Sequence, residues 1–272
     1  MKKSLVAAAV VASGMFAVSG AMAAPVIYNV SLPNISTFDN IITGTGSTVV
    51  TAQVVGGQTV YNYIDKDGNP ATVTVTRPSG ASASPSGGYS SGGQSLSGAV
   101  WNINPIANPA GGGVGGLADI PGFNSGLTFT FSSPVNAFGF EVGDWATCCF
   151  IQNRPAAVQT DYGVPQNGSG LWIAFDGGAF TLPANALSAN DNPGYAEARS
   201  FTNFIGAIDD SGFFSKITFF GDGFGEFLVA GGTLRFASVP RGSVSDVPEP
   251  ATVALLGLGL IGFAATRRRK AA

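Results

Sequence analysis

The stretch Leu127 to Trp145, LTFTFSSPVNAFGFEVGDW, alternates apolar and polar side chains with the period of two that a half-buried β-strand requires. Its spacing predicts strands over Leu127–Phe131 and Val135–Val142, joined by a Ser-Pro turn. The same signature recurs on both sides. Upstream, Val26–Leu32 reads as an opening strand, and Thr48–Val55 and Thr59–Ile64 flank Gly56-Gly57 as a hairpin. Asp65–Pro70 reads as a turn before a strand over Ala71–Arg77. Downstream, strands are expected over Leu171–Phe175, Phe201–Ile208, Phe214–Phe220 and Gly232–Ala237. Residues 78–98 and 105–116 are almost wholly Ser, Gly, Ala and Pro and are expected as flexible loops, too poor in apolar surface to offset their ordering entropy. No segment shows a convincing helical period. With 39 Gly, 20 Phe and only 11% charged residues, the composition agrees. The expected fold is all-β, a two-sheet antiparallel sandwich or jelly roll with Gly/Ser-rich loops.

The chain ends carry a different signal. Met1-Lys2-Lys3, the apolar run Leu5–Val18 and Ala21-Met22-Ala23 have the parts of a secretory signal peptide over residues 1–23, with the mature chain starting near Ala24. At the other end, Val247-Pro248-Glu249-Pro250 precedes Ala251–Thr266, which is uncharged, and then Arg267-Arg268-Arg269-Lys270. Sixteen residues of helix would reach about 24 Å, just short of a bilayer core of about 30 Å. The four cations set a cytoplasmic stop and leave residues 24–246 outside as the ectodomain. Two prolines hold Pro248-Glu249-Pro250 extended, in a form a protease can read. This order resembles the PEP-CTERM sorting signal of Gram-negative bacteria. The resemblance implies that the tail, residues 247–272, is a transient inner-membrane anchor read by an exosortase, a membrane protease that passes the body to the cell surface or extracellular matrix. Leu127 to Trp145 and Phe204 to Phe236 also resemble body segments of PEP-CTERM proteins, although Glu226-Phe227-Leu228 stands where those relatives often carry Asp-Asp or Asp-Asn. That resemblance implies a β-sandwich and carries no catalytic residue across.

Counted over residues 24–246, 15 acids face seven bases, a net charge of −8, whereas the whole chain is only −3. An ectodomain this acidic repels nucleic acid. With no His anywhere, Ser-His and Cys-His nucleophile systems and His-built metal sites are excluded. The chain is expected not to be an enzyme; a glycoside hydrolase running on carboxylates alone is the catalytic alternative. A carbohydrate-binding adhesion module is the other, with Trp101, Trp145 or Trp172 stacking on sugar. Cys148-Cys149 admits a vicinal disulfide, intermolecular bridges or two small buried thiols. No cofactor is expected beyond calcium, for which Asp65, Asp67 and Asn69, or Asp209, Asp210, Asp222 and Glu226, supply oxygens. A plain turn and solvated loops are the simpler readings of those two groups. Gly257 to Gly262 fits a dinucleotide fingerprint but lacks the second strand and the acidic residue, and suits a membrane helix better. Thr72, Thr74 and Thr76 share one strand face, as edge-strand solvation explains. The expected function is a non-catalytic envelope or matrix protein associating with exopolysaccharide.

Overall fold

Period-two alternation builds two facing antiparallel sheets in the computed structural model, which describes residues 25–91, 93–103, 126–144, 154, 156–178, 180–187, 202–221 and 228–244. The first sheet runs in the order β1 (Val26–Ser31), β12 (Asn203–Ile208), β9 (Ala137–Asp144), β14 (Leu228–Ala237) and β2 (Val50–Gln53), with β7 (Val100–Ile103) also on β14. The second runs β11 (Thr181–Ala186), β10 (Ser169–Phe175), β13 (Phe214–Gly221), β8 (Leu127–Val135), β4 (Pro70–Thr76) and β3 (Val60–Ile64). A small separate pair, β5 (Ser90–Ser91) and β6 (Gln94–Ser95), sits in the loop after β4.

Inward-facing aromatics fill the space between the sheets. Phe129, Phe131 and Phe219 from the second sheet meet Phe138, Phe140 and Phe236 from the first, with Phe129–Phe138 centroids at 4.7 Å and Phe140–Phe219 at 4.5 Å. Each buried ring contributes about 1.5–3 kcal/mol by leaving water. Gly139, between Phe138 and Phe140, faces the other way and leaves the space that the Phe204 ring fills.

Two helices cover the outer faces, where none was foreseen. α1 (Ser36–Gly44) lays Phe38 and Ile42 on Ala137, Phe204 and Ile208 of the first sheet. α2 (Ala156–Tyr162) lays Val158 on Trp172 and Phe220 of the second. Two further expectations need correction. Gly56-Gly57 does not close a hairpin: β2 pairs with β14 and β3 with β4, so this turn carries the chain from one sheet to the other. Likewise β8 continues past Ser133-Pro134 to Val135, with a register shift against β13 at that point, and the chain changes sheet at Asn136. Residues 78–98 form a loop stitched down by Gly57 N–H to the Pro85 carbonyl (2.9 Å) and Trp101 Nε1–H to the Ala83 carbonyl (3.0 Å). Residues 105–116, the expected signal peptide (1–23) and the expected sorting tail (247–272) lie outside the described residues, among which no helix is long and apolar enough to cross a membrane.

Val26 opposes Ile208, Ile208 opposes Ala137, and Ala137 opposes Ala237. The first and last strands of the chain therefore start and finish in one row across the first sheet.

Candidate functional site at the C-terminal exit

At the end of that row, the chain after β14 does not leave freely. Asn136, 1% exposed at the β8–β9 corner, reads the backbone of Val239 from both sides. Its Oδ1 accepts the Val239 N–H at 2.7 Å and its Nδ2 donates to the Val239 carbonyl at 2.9 Å. Val239 itself is buried in the apolar cluster under α1. Further along, the Asp210 carbonyl accepts the Gly242 N–H (3.0 Å) and its Oδ2 accepts the Val244 N–H (2.9 Å). Ser47 Oγ donates to the Ser238 carbonyl at 3.1 Å. These bonds pin residues 238–244 to the body. Beside them lies an open groove of about 250 Å³, lined by Ser47, Thr48, Tyr63, Asp65, Lys66 and Ser238 among others. Tyr63 donates its hydroxyl to the Ser133 carbonyl, and burial pushes that hydroxyl's pKa up.

The acids singled out from the sequence close turns at this same end. Asp65 Oδ1 accepts the N–H groups of Asp67 (2.9 Å) and Asn69 (2.8 Å), and its Oδ2 accepts Ser133 Oγ–H at 3.0 Å. These donors, the Asn69 amide foremost, hold its carboxyl below the usual carboxylate range. Asp67 pairs with Lys66 at 2.6 Å. Asp209 Oδ1 accepts the N–H groups of Ser211 and Gly212. Among the described residues no three His, Cys, Asp or Glu side chains converge as a metal site would need. Asp222, Glu226, Cys148, Cys149 and Trp145 lie outside the described residues. Trp101 and Trp172, candidates for sugar stacking under the carbohydrate-binding alternative, are core residues at 1% and 0% exposure. Their rings are taken up by Tyr61 and Phe129, and by Phe220 and Tyr162, so neither offers a face to a polysaccharide.

Sequence reading passed over Glu141, a buried acid. Its Oε2 accepts the Ser97 N–H at 2.9 Å, and its Oε1 accepts Ser97 Oγ–H at 2.7 Å and the Thr233 N–H at 3.0 Å. The Thr233 amide lies in the bulge where β14 slips against β9, between Gly231 and Arg235. Arg235 lies 4.0 Å from Glu141 and 3.2 Å from Asp39. The carboxylate fastens a loop and a bulge together, and only its burial in the folded chain reveals that role.

The pinned segment ends at Val244, two residues before a match to the family model of the PEP-CTERM protein-sorting motif, which covers residues 246–270. This chain carries a PEP-CTERM sorting motif. No curated protein and no solved structure matches the chain. A PEP-CTERM motif implies a membrane-anchored precursor, processing by an exosortase, and sorting to the cell exterior. The elements of the PEP-CTERM tail, Val247-Pro248-Glu249-Pro250 and the stop Arg267-Arg268-Arg269-Lys270, fall inside that match and outside the described residues.

Proposed function

We propose that this is a non-catalytic structural protein of the cell envelope or extracellular matrix, released from the inner membrane by exosortase and associating there with exopolysaccharide. The sorting motif at residues 246–270 carries the reading. The body supports it: Asp65, Asp209, Asp210 and Glu141 each use their carboxylates to hold backbone N–H groups. Contact with polysaccharide would run through exposed hydroxyl and amide groups, since Trp101 and Trp172 are buried. Asn62 and Thr130 on the outer face of the second sheet are such groups.

The test is fractionation of cells with and without the sorting protease. Protein with its tail removed should appear in the matrix fraction of the first strain, and full-length chain should stay in the membrane of the second. Matrix protein should also co-sediment with purified exopolysaccharide from the same cells. Release without co-sedimentation would leave the sorting and remove the polysaccharide.

A further inference from the structure

We propose that the end of the sandwich from which both chain termini leave rests on the outer surface of the inner membrane while the tail is still attached, with Phe213 and Ile64 entering the bilayer interface. The proposal builds on the anchored precursor that the sorting motif implies.

Three observations converge. Val26 and Ala237 lie in one row, separated by two intervening strands, so the chain enters and leaves the first sheet about 14 Å apart at strand spacings of about 4.8 Å. A body tethered there is held by that end. Next, Asn136 and Asp210 pin the chain as far as Val244. Six residues then separate Val244 from Ala251, where the uncharged run begins, and the seven extended Cα–Cα steps span at most about 25 Å. That linker keeps the exit end of the body within about 25 Å of the lipid.

The third observation is what that end exposes. Phe213, 49% exposed in the turn between β12 and β13, is the one Phe or Trp so exposed among the described residues. Its neighbour Phe214 opposes Val135, which lines the groove beside the exit. Ile64, 54% exposed, closes β3 on the same groove, and Lys66 follows with a half-exposed side chain whose ammonium is held by Asp67. An aromatic ring and an aliphatic side chain on one rim, beside a neutral Lys66–Asp67 pair, suit the interface at the edge of the acyl chains. Asp209 and Asp210, which would be repelled there, direct carboxylate oxygens at backbone N–H groups of residues 211, 212 and 244.

The test uses the full-length precursor in cells lacking the sorting protease, with a photoreactive phenylalanine analogue at position 213 or position 55. Val55 is a matched control: it too is 49% exposed, but in the turn at the opposite end. Retention in the membrane after alkaline extraction is scored first. Loss of retention would overturn the anchored precursor and the proposal with it. With retention intact, about tenfold more lipid adduct at 213 than at 55 is expected. Equal yields, or adducts at 213 with protein in place of lipid, would overturn the bilayer contact and leave the sorting untouched.

Discussion

Asn136 does with one side chain what a short strand pairing does with two backbones. Replacing it with Ala would leave the Val239 N–H and carbonyl without partners in a dry site. The expected loss is about 2–6 kcal/mol in a denaturant melt, at about 1–3 kcal/mol for each of the two stranded groups. Nothing local announces this residue: it sits in a run that reads as strand, and its partner lies 103 positions along the chain. Glu141 is similar. Among the described acids it stands out only by burial, and Glu141→Gln should cost about 1–3 kcal/mol because one amide N–H₂ then faces donors. Asp65 was legible, since Asp-Lys-Asp-Gly-Asn between two β runs reads as a turn. Its folded-state pKa is lowered, so its contribution is present above the ordinary carboxylate value of about 3.9 and is lost as pH falls through the lowered one. The stability gap between wild type and Asp65→Ala should therefore be open at neutral pH and close in acid, as urea midpoints across that range would record.

Strands were readable because alternation is a local property: β1, β3, β4, β10, β12 and β13 fall within a few residues of the apolar runs that predicted them. Partners were not readable, because a period of two says which face is buried and nothing about which neighbour shares the hydrogen bonds. Hence Gly56-Gly57 resembles a hairpin turn but crosses between sheets. The helix α1 escaped notice for another reason. Its core contacts, Phe38 and Ile42, stand four apart as a helix demands, but Thr and Ile around them favour strand. It is held by what it covers: Gly206, opposite Gly139 in the ladder, leaves room for the Phe38 ring. A methyl group at Gly206 would collide with that ring, so Gly206→Ala should cost about 1–3 kcal/mol and Phe38→Ala about 3–5 kcal/mol, both by thermal or denaturant unfolding.

For the whole molecule, the C-terminal sorting motif was the most legible part, because a sorting tail must be read by other proteins before or apart from any fold. The expected outcome is that intact mass of surface protein ends near Pro250 and lacks Ala251 to Ala272; a mass retaining them would mark a permanent anchor. The row that joins Val26 to Ala237 has a further consequence, in time. β1 waits for β12, and β2 waits for β14, so the first sheet cannot close until almost the last residue of the body has crossed the membrane. Long-range pairings of this kind close slowly, so the first sheet is expected to stay incomplete over that interval. The uncharged run begins at Ala251, 14 residues after β14 ends at Ala237, so it can stop the chain soon after the final strand becomes available. The anchor would then give the sandwich its dwell time to fold before release.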